Sequence, residues 1–278
     1  MYGGFSKGEV IDYYTRIAPA LLPHLADRPL TVKRYPDGVD GKFFFEKNAP
    51  SHTPDWVRTA RLPVPGSTKD REEIDYVVVD GLPSLVWLAN LAALELHVPQ
   101  WQVGPRGGQR GTDLLVFDLD PGAPADITSC REVALLLREV LTEDNLAAYP
   151  KTSGQKGMQV SVPIRPVAAG RTSEYARAVA ERLEREHPTL VVAKMAKPLR
   201  HGKVFLDWSQ NNPAKTTVCV YSLRATSVPS VSTPVTWDEV AGNRPLTFTA
   251  TDVLDRVERD GDLHAATLDA DGLLPRTH

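Results

Sequence analysis

The chain has 278 residues, 42% of them hydrophobic and 24% charged, which fits a soluble globular protein of one large domain or two modest ones. No stretch is apolar enough to span a bilayer: the best, 82–96, is interrupted by Pro83, Asn90 and Glu95. The net charge of −3 excludes no partner, because nine Asp/Glu against four Arg fall after Trp237 and the remainder is slightly basic.

Residues 9–25 predict a helix that ends near Pro23. Short strands are expected at 30–34, 42–46 and 75–79, separated by Pro, Gly and Asp turns. Residues 83–96 have apolar positions at helical spacing and predict a buried helix, followed by a basic, glycine-rich loop at 101–111. Beyond it the pattern predicts a strand at 113–119, a helix at 125–141, a strand at 158–163, a helix at 172–186, a strand at 203–206 and a last helix near 252–259. That alternation is α+β, with mixed or antiparallel sheets flanked by helices. It divides into an N-terminal subdomain of about 1–97 and a larger one of about 98–278, packed as a single domain. Cys130 and Cys219 are too far apart in sequence to form a metal-ligand pair and suit a reducing cytoplasm, and the start of the chain carries no apolar leader core.

Three features carry chemistry. In Phe117-Asp118-Leu119-Asp120-Pro121-Gly122 two carboxylates project from the same face of a strand end. Such a pair fits a divalent cation, or a strand that turns on Asp-Pro-Gly with one aspartate capping the next helix. Asp207 ends a second apolar strand and offers a third carboxylate, enough for a two-metal clamp, or is a surface strand end. Lys151-Thr152-Ser153-Gly154-Gln155-Lys156-Gly157 brings glycines, a hydroxyl and a lysine together, as an anion-binding loop or as an exposed hairpin turn.

Taken in order, these segments resemble the polymerase domain of bacterial ligase D, in the archaeo-eukaryotic primase superfamily. The resemblance also rests on Lys33-Arg34-Tyr35-Pro36-Asp37-Gly38, Phe44-Phe45-Glu46-Lys47, Leu94-Glu95-Leu96-His97-Val98-Pro99-Gln100-Trp101, Lys203-Val204-Phe205-Leu206-Asp207-Trp208-Ser209-Gln210-Asn211 and Tyr221-Ser222-Leu223-Arg224. It covers nearly the whole chain and implies a primase-like fold and a template-dependent, DNA-primed nucleotidyltransferase that favours ribonucleotides and fills gaps or extends broken ends in non-homologous end joining. It implies two divalent ions, manganese or magnesium, on Asp118, Asp120 and Asp207. His97, Ser153, Lys156, Gln159, Gln210 and Arg224 are then expected at the incoming NTP or dNTP. Lys7 and Lys33 are expected at the DNA 5′-phosphate, Phe44 and Phe45 at template bases, and Arg200 on the primer side. Arg106 and Arg110 fall in a loop that contacts DNA in the family.

The expected partners are DNA with gaps or 5′-phosphorylated recessed ends, a DNA ligase and end-binding repair proteins, with no membrane. The expected location is bacterial, cytoplasmic and nucleoid-associated. Met1 and the distinctive tail favour a stand-alone member. Two departures stand out: Gln159 replaces the family's histidine, and Cys219-Val220 replaces its Ala-Pro before Tyr221. The first motivates a rival expectation, a catalytically weak module that binds 5′-phosphorylated DNA ends.

Overall fold

Ser6 and Glu9 form a reciprocal capping box that starts the first helix, whose buried positions Val10, Tyr13, Tyr14, Ile17, Leu21 and Leu25 recur at helical spacing. The helix runs through Pro19 and Pro23 with His24 and Leu25 buried, and it ends at Leu25, the last residue of the expected span. The computed structural model describes residues 5–64 and 72–275; Met1 lies outside them.

In chain order the first elements are α1 (Lys7–Leu25), β1 (Thr31–Arg34), β2 (Phe44–Glu46), β3 (Thr59–Pro63), β4 (Glu73–Val77), α2 (Leu82–Asn90), β5 (Ala93–Val98) and β6 (Trp101–Val103). Then come β7 (Gln109–Pro121), α3 (Ile127–Glu143), β8 (Tyr149–Thr152), β9 (Met158–Val167), α4 (Arg171–Glu186), β10 (Val191–Val192) and β11 (Val204–Asp207). The chain closes with β12 (Thr217–Val218), β13 (Leu223–Arg224), β14 (Ser230–Val231), α5 (Trp237–Ala241) and α6 (Ala250–Asp260).

They form two compact units: Met1–Arg110 with Thr216–Ser232 and Phe248–Asp262, and Gly111–Lys215 with Thr233–Thr247 and Leu263–His278. The first is built on an antiparallel sheet of order β12-β5-β1-β2. Its core joins α1 and α2 to the inner residues Val32, Leu94, Leu96 and Val98. Tyr14 fastens the returning segment, its hydroxyl donating to the Leu94 carbonyl (2.6 Å) and accepting from the Leu223 amide (3.2 Å). The helix expected over 83–96 forms only in its first half: α2 stops at Asn90, Ala92 takes a left-handed backbone (φ 60°), and β5 follows. The period-two run Leu94-Glu95-Leu96-His97-Val98 wins over helical spacing because it satisfies two sheet neighbours at once.

The second unit is built on a mixed sheet of order β10-β11-β7-β9-β8, with β10 and β11 parallel and the β11–β7, β7–β9 and β9–β8 pairs antiparallel. Its apolar residues Leu115, Phe117, Val160, Val162 and Leu206 are fully buried. The stretch 151–157 forms the turn and inner ends of the β8–β9 hairpin, as one of its two sequence readings expects. Beyond Asp207 the chain leaves the sheet in a short 3-10 turn, Trp208–Asn211. The buried Asn211 side chain then takes over the missing ladder: its Oδ1 accepts from the Val116 amide (2.9 Å) and its Nδ2 donates to the Val116 carbonyl (2.7 Å). Asn211→Ala leaves both buried backbone groups unpaired, and a cost of about 2–4 kcal/mol is expected. Urea denaturation checks this against Asn212→Ala, an exposed neighbour expected to cost under about 1 kcal/mol.

Candidate active site

The antiparallel registers of the second unit set four polar residues side by side. Asp207 pairs with Asp118, Asp118 with Gln159, and Gln159 with Lys151, so one row crosses β11, β7, β9 and β8. Directly opposed residues share a face, and Asp120, two residues along β7, joins them there. The Gln159 Nε2 donates to Asp118 Oδ1 at 3.0 Å, while its Oε1 is buried without a hydrogen-bond partner. Asp207 caps the 3-10 turn, accepting from the Ser209 amide at 2.9 Å and from Gln210 Nε2 at 2.9 Å.

Asp118 keeps some exposure at the strand end, yet protein atoms surround its carboxyl. Burial and the charges of Asp120 and Asp207 push it up to about 7, against the hydrogen bond from Gln159 and the charge of Lys151. Among the described residues no group of three or more His, Cys, Asp or Glu is placed to hold a metal ion. The donors are nonetheless the hard oxygens a divalent cation takes: three carboxylates under mutual repulsion and, beside them, the orphaned carbonyl oxygen of Gln159.

Two glycines bring flanking backbone against this strand end. A Cβ on Gly157 would fall 2.3 Å from the Leu119 carbonyl oxygen, and one on Gly122 would fall 2.0 Å from that of Arg200. The first contact seats the β8–β9 turn beside Asp120. Within that turn Ser153 Oγ accepts from the amides of Gln155 (3.3 Å) and Gly157 (3.2 Å), and Lys156 is exposed. Arg200 stacks on Phe205, its guanidinium carbon 3.7 Å from the ring centre, and donates to the Met195 carbonyl at 2.6 Å.

The first unit carries the remaining candidates. Phe45, Lys33 and Glu95 form a second cross-strand row over β2, β1 and β5, with His97 on the same face two residues on. Lys33 Nζ lies 4.0 Å from the Phe43 ring centre, 5.7 Å from that of Phe45 and 3.7 Å from Glu95. Arg224 Nε and His97 Nε2 lie 3.4 and 3.1 Å from the other Glu95 oxygen. Alternation puts Phe44 on the opposite face, against the Arg34 guanidinium at 5.2 Å. Phe43, Phe44 and Phe45 are all exposed. Lys7 is exposed on the first turn of α1 and lines an open groove with Phe5, Tyr35, Val39 and Leu94. Arg106 and Arg110 are exposed in the turn after β6 and at the start of β7. Lys151, Phe43 and Glu95 join these rows without any individual role being expected from the sequence. The polar period-two pair Glu95 and His97 inside an apolar run is the signal that marks the last.

The fold and the carboxylate row define a sheet-built class with solved members. The polymerase domain from Mycobacterium tuberculosis ligase D, solved in complex with DNA, matches with a TM-score of 0.90 at 40% identity, covering 96% of this chain and 94% of that one. The family described as LigD, primase-polymerase domain, matches residues 6–264, and the chain belongs to that family. It is 44% identical over 269 residues to the multifunctional non-homologous end joining protein LigD of Mycolicibacterium smegmatis, covering 96% of this chain and 34% of that protein. It is 33% identical over 259 residues to the bifunctional LigD of Bacillus subtilis, covering 92% of this chain and 40% of that protein. The chain thus spans a little over a third of the length of these two relatives.

Asp118 yields a pH prediction. Its folded pKa lies above the ordinary 3.8, so between about 4 and about 7 the folded state holds the extra proton. In chelator its contribution to stability therefore falls as pH rises through that window. Manganese is expected to raise the melting temperature more at pH 8 than at pH 5, and Asp118→Asn to remove most of both effects. Thermal melts with and without chelator measure this; an equal manganese shift in wild type and Asp118→Asn contradicts it.

Proposed function

We propose that the chain is a template-dependent, DNA-primed nucleotidyltransferase. It adds NTPs or dNTPs, favouring ribonucleotides, at gaps and broken ends during non-homologous end joining, with DNA ligase and end-binding proteins as partners. The observation that carries the reading is the row Asp207, Asp118 and Gln159, with Asp120 on the same face and the Ser153–Lys156 turn seated against its strand. Family membership and the likeness to a polymerase domain solved with DNA support it.

Asp118, Asp120 and Asp207 hold two divalent ions, manganese or magnesium. When bound, such ions lower the pKa of the attacking hydroxyl and offset charge on the leaving pyrophosphate. The chain's own groups hold the substrate. Ser153 and Lys156 bind the triphosphate, and Gly157 lets their turn approach the carboxylate strand. Arg224 pairs with phosphate oxygens, His97 contacts the sugar, and Gln210 and Arg200 flank the phosphate and primer. Lys7 and Lys33 take the 5′-phosphate beyond the gap, a contact that sets register without reading sequence. Phe44 and Phe45, with Phe43 beside Lys33, offer faces on which template bases stack, at about 1–3 kcal/mol per base.

Primer extension on gapped, 5′-phosphorylated DNA with manganese tests this. Wild type is expected to extend, and Asp118→Ala or Asp207→Ala to lose at least about a hundredfold to a thousandfold in rate. No extension with either nucleotide sugar sinks the reading.

A second reading has its own observation. The Gln159 Nε2 is engaged by Asp118 rather than offered to a phosphate, and glutamine carries no positive charge. A weak catalyst that chiefly binds 5′-phosphorylated ends would follow. Gln159→His separates the two. A severalfold fall in the nucleotide KM points to a polymerase with a loosened grip, whereas DNA binding without synthesis in both proteins points to the end-binding module.

A further inference from the structure

We infer that Glu95 is a positioning residue that fixes Lys33, His97 and Arg224 as one preorganised face for the phosphate and sugar groups of the ligands. The inference rests on the nucleotidyltransferase reading above.

Glu95 is almost wholly buried, at 1% exposure, whereas its three partners retain 15%, 13% and 12%. The carboxylate thus lies beneath and the donors above it, toward solvent. They come from β1, β5 and β13, and two neutral donors complete the set: the Ala225 amide at 3.1 Å and the Tyr35 hydroxyl at 3.4 Å. The one buried carboxylate is thus shared by three side chains that each reach solvent. Burial opposes its ionisation, yet the His97 hydrogen bond and the Arg224 charge hold it at about 2, so it stays an anion at any working pH.

The consequences differ for each partner. Lys33 is held between Glu95 Oε1 and the rings of Phe43, Tyr35 and Phe45, so its flexible stem is fixed before any anion arrives. Arg224 is drawn to Oε2 through Nε. For His97, burial lowers the pKa and keeps the ring neutral. The Glu95 bond then assigns the Nε2–H tautomer, leaving Nδ1 as an acceptor suited to a hydroxyl donor such as a sugar. With Lys33 and Arg224 charged and His97 neutral, one positive charge remains on the group after Glu95 is counted.

A positioning role and a simple counter-charge predict opposite results. Removing a counter-charge strengthens the local positive field and tightens anion binding; removing a positioner disperses the donors and weakens it. The experiment compares wild type, Glu95→Gln and Glu95→Asp, with Leu96→Val on the opposite face of β5 as a stability control. Two quantities are read: the KM and kcat for NTP in manganese, and the ratio of affinities for gapped DNA with a 5′-phosphate or a 5′-hydroxyl. Glu95→Gln is expected to raise KM about tenfold to a hundredfold with kcat changed far less, and to erase most of the 5′-phosphate preference. Glu95→Asp, which keeps the charge but shortens its reach, is expected to fall between, and Leu96→Val to leave the kinetic constants and the affinity ratio unchanged.

Unchanged values, tighter binding in Glu95→Gln, or an equal effect in Leu96→Val overturns the inference. If Glu95→Gln melts below the assay temperature, Glu95→Asp decides on the same readouts. If wild type fails to extend at all, the nucleotidyltransferase reading fails, while the 5′-phosphate ratio still decides the role of Glu95.

Discussion

Two carboxylates held directly opposite each other on adjacent strands are the constraint around which the second unit is organised. Asp118 and Asp207 meet through the β7–β11 register, with Asp120 two residues on, and like charges so placed repel. The protein answers locally. Gln159 donates to Asp118, the 3-10 turn and Gln210 donate to Asp207, and Lys151 brings a cation into the same row. These answers are partial, because Asp118 still prefers its proton well above the ordinary aspartate range. On the reading proposed above, that uncompensated charge is what a divalent cation would neutralise.

The constraint explains otherwise unrelated features. Gly122 and Gly157 are glycines because carbonyl oxygens occupy the space of their side chains. Asn211 is buried because the chain must leave the sheet just beyond Asp207 to cap its carboxylate, and Val116 then needs a substitute ladder. The first unit inverts the arrangement. There a single buried anion, Glu95, gathers Lys33, Arg224 and His97, so an anion organises donors where the second unit uses donors to restrain anions. Each row lies on the polar face of a sheet whose other residues pack an apolar core.

Much of this is legible in the sequence, and the remainder is hidden for physical reasons. The run into Asp118 and Asp120 reads as a strand end because its apolar residues are continuous and Pro121-Gly122 stops it. The pairing of Asp118 with Asp207 and Gln159 is not legible, since register is set by contacts between segments distant in sequence. The 83–96 segment misleads because its first half is a helix and its second half a strand, joined at Ala92, whose left-handed backbone no glycine announces. Glu95 is thereby read as a helix interruption rather than as the polar face of β5. Phe44 and Phe45 are adjacent in sequence and so look like a pair, yet strand alternation sends them to opposite faces and gives Phe45 the company of Phe43. The return of 216–232 and 248–262 to the first unit leaves no local mark at all.

If the carboxylate row is a cation site completed by substrate, manganese binds there together with nucleotide. Anomalous diffraction at the manganese edge, from crystals soaked with a nucleoside triphosphate and manganese, should then show two peaks about 3.5–4 Å apart on Asp118, Asp120 and Asp207. Absence of manganese from these carboxylates, with Asp118 still bonded to Gln159 and Asp207 to Gln210 while nucleotide is bound, would contradict it.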